Sequence, residues 1–334
     1  MVHQVPAGCL RPRQHTRNGD IEDVLRRIAV ALARQSWLRK LVISTPGVRD
    51  LAWRFVAGED LDAGIVTLRR LASRGVGATL NHVGTHVHDA GQARAATDDL
   101  IVAIERIRAE GLSASVSVKL TQIGLDIDGD LCRSEFRRVL DAAAANDVFV
   151  WTDMEESPYV ASTLAIFDEM RAAYGRDRVG IVLQAYLRHR PGDLEGEIAA
   201  GSRIRIVKGG YWEAPEVVHR VQAEIDQAFN HDVRVLLEGG HQPAIATHDP
   251  VVIGAVRRIV RERAIELGSF EFQMLYGVRA DLQDQLVRDG FQVRAYVPYG
   301  GDWFFYFLGC IRQLPGGFVR RVKARFAARR RRPA

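Results

Sequence analysis

The chain has 334 residues, 47% of them hydrophobic and 26% charged, enough to bury a core without disulfides or structural metals. No apolar run reaches the roughly 18 residues of a membrane span. The opening MVHQVPAGCLRPRQHTRNGD lacks the continuous apolar stretch of a secretory leader, and Cys9, Cys132 and Cys310 are scattered without a CxxC, which fits reduced thiols in a cytoplasmic setting.

Residues 1–75 read as a helical arm. Beyond them, short strand-like runs alternate with helical patterns. The strands are ATLNHV (78–83), ASVSVKL (114–120), VFVWTD (148–153), GIVLQAY (180–186), IRIVK (204–208), PAIATH (243–248), FEFQML (270–275) and QVRAYV (292–297). Helical patterns between them cover 92–110, 132–146, 159–174, 250–267 and 279–289. VRVLLEGG (233–240) fits either a ninth strand or a helix end, and is read as the end of the helix before PAIATH. The strands look like near-continuous apolar runs, as expected of parallel strands buried on both faces. Eight strand–helix units over about 250 residues match a (β/α)₈ barrel of the α/β class, here 76–317. The rest, 318–334, is a basic tail. Eight basic residues and no acid lie between Arg320 and Arg332, so without them the net charge of +5 becomes −3. The basicity belongs to the tail and not to the barrel. The run Arg329–Arg332 comes with no nucleic-acid reading motif, so no nucleic-acid partner is expected.

A barrel of this kind places its chemistry at the C-terminal ends of its strands. Lys119, Asp153, Gln184, Arg205, Lys208, Thr247, His248, Gln273 and Tyr296 are assigned there. One such residue is easily a plain strand terminator. A polar residue on nearly every strand, facing one mouth, points to a site. His82, His86 and His88 form H-x₃-H-x-H after the first strand. The His86/His88 pair resembles the zinc-binding HxH of barrel amidohydrolases, with His248 as a further ligand, but GIVLQAYL supplies no bridging lysine on the fourth strand. The other reading places these imidazoles at the rim of a pocket without metal.

In order, VSVKLTQIGL, WTDMEESPY, VGIVLQAYLR, IRIVKGGYWE, AIATHD, FEFQMLYGVR and VRAYVPYGGDWFFY resemble the proline dehydrogenase family from about residue 78 to 315. Each motif is weak alone; seven in register are specific. The resemblance implies a distorted (β/α)₈ barrel holding non-covalent FAD over its mouth. Asp153, Gln184, Arg205 and Lys208 match flavin-contacting positions, followed by Gly209, Gly210, Tyr211 and Trp212 in the same loop. Thr247 and His248 match adenine-side contacts, with Gln273 and Leu275 nearby. It also implies hydride transfer from an amine-bearing carbon to flavin N5, with a quinone or another acceptor taking the electrons. Lys119 matches a lysine facing the substrate carboxylate, and Tyr296 and Tyr306 match aromatic pocket walls. The absence of GxGxxG excludes a Rossmann flavin site but not this barrel type.

The pattern breaks in two places. The family's last helix carries two adjacent arginines that clamp the proline carboxylate, followed three residues later by an acid. Here Gly309 and Cys310 replace the arginines, and Gln313 replaces the acid. A gating glutamate after the first strand is implied where Thr85 stands. Losing one partner of a buried pair strands a charge, whereas losing both avoids that, so the joint change reads as a rebuilt pocket. Arg312, one turn after Gly309, is either a substitute cation reaching back over the glycine or an exposed residue. Cys310 is either a reactive thiol at the mouth or an inert small side chain. The expected activity is amine oxidation on a cyclic amine or amino-acid derivative other than free L-proline, free or carrier-attached. The alternative is a genuine L-proline dehydrogenase with a substituted carboxylate grip. The basic tail suits peripheral contact with an anionic membrane, or else is simply solvated.

Overall fold

The computed structural model describes residues 52–84, 87–188, 192–304 and 306–307. The chain divides into the units Met1–Arg49 and Asp50–Ala334. The first of these, and so most of the arm read from the sequence, lies outside the described residues, as does the tail 318–334.

Several helices open on an aspartate that meets the unpaired N–H groups of the first turn. Asp60 accepts from Ala63 N at 2.9 Å, starting α1 (Leu61–Ala72). Asp89 accepts from Gln92 N at 2.8 Å, starting α2 (Ala90–Ala109). Asp128 caps α3 (Gly129–Asn146) through the N–H groups of Asp130 and Leu131. Asp249 caps α7 (Pro250–Glu262), where proline occupies the first turn and needs no N–H partner. The remaining helices are α4 (Val160–Tyr174), α5 (Asp193–Ala199), α6 (Gln222–Gly239) and α8 (Ala280–Arg288). VRVLLEGG is therefore mainly the end of α6.

Between the helices run β1 (Gly77–His82), β2 (Ala114–Val118), β3 (Val150–Thr152), β4 (Val179–Gln184), β5 (Arg203–Val207), β6 (Ala244–Ala246), β7 (Glu271–Leu275) and β8 (Gln292–Tyr299). All pair in parallel and in chain order, and β8 closes on β1 with Thr79 opposite Tyr296. The eight strands correspond to the eight read from the sequence. Helix α1, within the span read as an arm, packs against β1 and β8.

One expectation is corrected. The strands are not uniform apolar runs; they alternate. One set of positions, including Val116, Val118, Val150, Ile181, Ile204, Ile206, Phe272, Met274, Ala295 and Val297, joins the buried core under the helices. The other set faces the lumen and is polar: Thr79, Ser115, Ser117, Arg205, Glu271 and Gln273 are all buried. Both faces are buried, as parallel strands require. Inside the barrel, however, the charges bond to one another across it, so burial does not demand an apolar face. Gly180 shows how tightly this lumen is filled: a Cβ there would stand 2.7 Å from Arg203 O and 2.8 Å from the Phe149 ring.

Candidate active site at the C-terminal mouth of the barrel

Asp153 follows directly on β3, and four groups from three strand regions converge on its carboxylate. Oδ1 accepts from Ser117 Oγ at 2.5 Å and from Arg205 Nη1 at 3.0 Å. Oδ2 accepts from Tyr296 OH at 2.7 Å and from Lys119 Nζ at 3.2 Å. The Arg205 guanidinium also lies 4.5 Å from the centre of the Trp151 ring and 5.5 Å from that of Tyr296. Burial opposes ionisation of Asp153, but Lys119, Arg205 and the hydroxyls of Ser117 and Tyr296 outweigh it and hold the carboxyl below its usual range. Burial likewise opposes the Lys119 charge, yet the ionised Asp153 beside it holds its pKa well above the ordinary lysine value. Burial, followed by the Asp153 charge, pushes the Tyr296 phenol up, so it stays neutral. Lys119 remains a quarter exposed toward the mouth, and Arg205 is enclosed.

Not all of the expected residues sit at strand ends. Arg205, Gln273 and Tyr296 lie within β5, β7 and β8 and reach the site from one level down. Gln184, at the end of β4, donates from Nε2 to Glu155 O at 2.8 Å. Lys208 is bound by Asp226 at 2.6 Å and Asp249 at 3.3 Å, ties that join the ends of β5 and β6 to α6. Gly209 has φ +104°, and a Cβ there would overlap the Tyr186 ring, so only glycine lets the backbone pass that ring on its way into the loop through Gly210, Tyr211 and Trp212. Tyr186 OH donates to Tyr211 O at 3.4 Å, and Trp212 is exposed with Arg220 over its ring. Thr247 Oγ1 accepts from Asp249 N. His248 Nε2 accepts from Leu275 N at 2.8 Å; burial, with help from Arg279, lowers its pKa to about 4. Gln273 Nε2 donates to Glu271, one level further down. Tyr306 is half-buried. Thr85, His86, Gly309, Cys310, Arg312 and Gln313 lie outside the described residues.

The sequence reading missed Ser117, Trp151, Glu155, Tyr186 and Glu213. Glu213 accepts from Ser157 N at 2.6 Å and Ser157 Oγ at 2.8 Å, clipping the loop after β5 to the loop after β3. The readable signal for Ser117 and Trp151 was the two-residue period that puts them on the lumen side with Lys119 and Asp153. Among the described residues no group of three or more His, Cys, Asp or Glu could hold a metal ion. His82, 3.8 Å from Asp99, stacks on Tyr299.

The family model of proline dehydrogenase matches residues 65–302. The chain is 35% identical to proline dehydrogenase 2 of Bacillus subtilis over 288 residues, 86% of this chain and 94% of the relative. It is also 35% identical to a proline dehydrogenase of Deinococcus radiodurans over 298 residues, 88% of this chain and 96% of that one. The chain belongs to the proline dehydrogenase family. Its members are FAD-dependent oxidoreductases acting on CH–NH groups. A crystal structure of proline utilization A from Bdellovibrio bacteriovorus, inactivated by N-propargylglycine, shares the barrel at a TM-score of 0.74 and 24% identity. That likeness covers 78% of this chain but only 32% of the larger protein, and it bears on the fold alone.

The residues present fit the family's flavin. Arg205 Nε and Nη2 and Gln273 Oε1 are buried without a hydrogen-bond partner, and each such group costs about 1–3 kcal/mol until a partner arrives. A ring rich in nitrogens and carbonyl oxygens supplies such partners.

Proposed function

We propose that this chain is an FAD-dependent dehydrogenase that oxidises a C–N bond from amine to imine, on a substrate other than free L-proline. The convergence of Lys119, Arg205 and Tyr296 on Asp153 carries the reading of the site. FAD, when bound, would supply the hydride acceptor for this oxidation. Arg205, locked between Asp153 and the Trp151 ring, presents a fixed cation where negative charge develops during reduction, and its position needs no reorganisation. Tyr296, held neutral, walls the pocket without titrating. Lys119 keeps its charge and reaches the substrate side, but it shares that charge with Asp153. Gln184, Lys208 and the 209–212 loop hold the cofactor, with Thr247 and His248 on its adenine side.

The substrate reading rests on the sequence at Gly309, Cys310 and Thr85. An arginine fork recognises a carboxylate in two places at once, whereas Lys119 offers only a point charge. An N-substituted or decarboxylated cyclic amine, a larger amino-acid derivative or a carrier-attached substrate suits the altered end better. The test begins with the spectrum of the purified protein, which shows flavin bands and releases FAD on denaturation. Anaerobic addition of L-proline, pyrrolidine, N-methylproline and prolinamide then ranks the substrates. Two lost charge-assisted contacts place kcat/KM for proline about a hundredfold or more below that of the best amine. Restoring Thr85→Glu, Gly309→Arg and Cys310→Arg together recovers proline turnover. Efficient oxidation of proline by the unaltered protein overturns the substrate reading and leaves the activity its relatives are named for. A colourless protein that refuses FAD and carries stoichiometric zinc overturns the whole reading.

The electron acceptor is a quinone or an equivalent carrier, and the basic end at 318–334 brings the otherwise cytoplasmic protein to the inner membrane face. Each basic residue near an anionic bilayer contributes about 1 kcal/mol. Full-length protein pellets with anionic vesicles at low salt, and protein ending at Gly317 does not. Identical partitioning of the two assigns the tail to solvent and favours a soluble acceptor.

A further inference from the structure

Glu155 lies two residues beyond Asp153, buried at 4% exposure, and it joins three strand ends. Its Oε1 accepts from Thr121 N at 3.1 Å, and its Oε2 from Thr121 Oγ1 at 2.6 Å. Its own backbone oxygen accepts from Gln184 Nε2 at 2.8 Å. Thr121 belongs to the short 3-10 turn Leu120–Ile123 that begins immediately after Lys119. Lys119 stands at the cap position of that turn but gives it no side-chain hydrogen bond. The first N–H groups of a helical turn need an acceptor. Glu155 provides one from another strand's loop.

We infer that Glu155 is a positioning residue: by capping the turn that follows Lys119, its carboxylate fixes the ammonium on the substrate side, and by pinning its own loop it holds in place the backbone oxygen that anchors the Gln184 amide facing the flavin. Two acids from one loop thus divide the task. Asp153 holds the Lys119 ammonium itself, and Glu155 holds the backbone from which that side chain springs. Leu120, Thr121 and Ile123 are buried, so the turn cannot find water as a substitute acceptor. Cys132 Sγ, 3.7 Å from Leu120 O, backs the same turn from α3.

The inference rests on the FAD reading above, and its test separates the two. In full-length protein loaded with FAD, Glu155→Ala removes the cap, and Glu155→Gln keeps its shape. A glutamine oxygen still accepts from Thr121 N, and its amide still reaches the Thr121 hydroxyl. Glu155→Ala should retain its flavin and circular dichroism but disfavour flavin reduction about tenfold, a fall of about 30 mV in midpoint potential for the two-electron couple. Glu155→Gln should return to the wild-type potential. A wild-type potential in Glu155→Ala makes Glu155 a purely structural residue and overturns the inference. So does a Glu155→Gln potential as displaced as that of Glu155→Ala, which would show that charge matters and position does not. Should Glu155→Ala fail to fold, Thr121→Val deletes only the hydroxyl half of the clasp; its potential should fall in the same direction by less, and no shift overturns the inference. Amide exchange at Thr121 in flavin-free protein reads the clasp alone: faster exchange in Glu155→Ala is expected, and unchanged exchange overturns the cap. Protein that never takes up FAD, with Thr121 protected by Glu155, refutes the cofactor reading while leaving the clasp intact.

Discussion

Two charged clusters lie one above the other inside the barrel. In the lower, Arg294 Nε meets both oxygens of Glu271 at 2.9 and 3.0 Å, and its Nη1 donates to Ala78 O at 3.0 Å. Gln273 closes over the same carboxylate, and Arg203 rests its guanidinium 4.7 Å from the Phe149 ring centre. Glu271 is 3% exposed; burial opposes its charge, and Arg294 overcomes that. In the upper cluster Asp153 is just as fully bonded, but its cations are not. Arg205 keeps two nitrogens, Nε and Nη2, unpartnered, and Lys119 looks out of the mouth. The same ion-pair chemistry therefore serves two ends. In the lower cluster the Arg294–Glu271 clasp plugs the barrel, although Arg203 Nε and Gln273 Oε1 there are also buried without a hydrogen-bond partner. In the upper cluster the leftover donors belong to the guanidinium that holds Asp153.

That contrast can be broken from below. Glu271→Leu strands Arg294 in the lumen and should cost about 3–5 kcal/mol of stability by denaturant titration, while Glu271→Leu with Arg294→Met recovers most of it. Bound flavin in the double variant should have its wild-type spectrum. A changed spectrum would mean that the lower cluster is part of the site.

From above, Arg205→Ala should leave circular dichroism unchanged and lower the rate of flavin reduction about a hundredfold or more, the usual loss for one preorganised donor. A stability loss as large as that of Glu271→Leu would erase the distinction between the layers.

The mouth also carries a pH signature in a window above that of the plug's Glu271, whose carboxyl Arg294 holds below the usual glutamate range. His248 is neutral in the folded protein until about pH 4, against about 6.5 when unfolded. Above pH 6.5 both states are neutral and nothing changes. As pH falls from 6.5 toward 4 the unfolded chain takes up the proton first, so stability is lost, to a ceiling of about 3 kcal/mol. Urea midpoints of His248→Gln should show this part of the acid slope removed; an unaltered slope assigns it elsewhere. The smallest effect belongs to the packing beneath. Gly180→Ala pushes a methyl against Arg203 O and the Phe149 ring and should cost about 1–3 kcal/mol, read as a lower thermal midpoint with flavin content unchanged.

The barrel was legible because eight apolar stretches of strand length recur between helical patterns. Its lumen was less so. In ASVSVKL the polar residues Ser115, Ser117 and Lys119 fall at every second position, as do Arg203 and Arg205, Glu271 and Gln273, and Arg294 and Tyr296. Valines and isoleucines between them raise the local hydrophobicity enough to mask that period. Attention to strand ends found Lys119 and Asp153 but passed over Ser117, Glu271 and Arg294. Glu155 was not readable at all. Nothing in WTDMEESPY separates it from Glu156; only the path of the loop after β3 turns one inward to Thr121. The family's motifs located Gln184 and Lys208, but not that Lys208 is bound to Asp226 and Asp249.

The two clusters also set a timetable for a chain still on the ribosome. Tyr296 comes 143 residues after Asp153, and Arg294 comes 216 residues after its acceptor Ala78. At about 5–20 residues per second of synthesis, Asp153 waits on the order of ten seconds for the phenol that completes it. Until β8 emerges, β1 has no closing neighbour and the lumen's charges face water. Early collapse of the first strands onto their helices is thus free to proceed through the apolar outer layer, while the inside of the barrel is settled last, when both ends of the sheet meet.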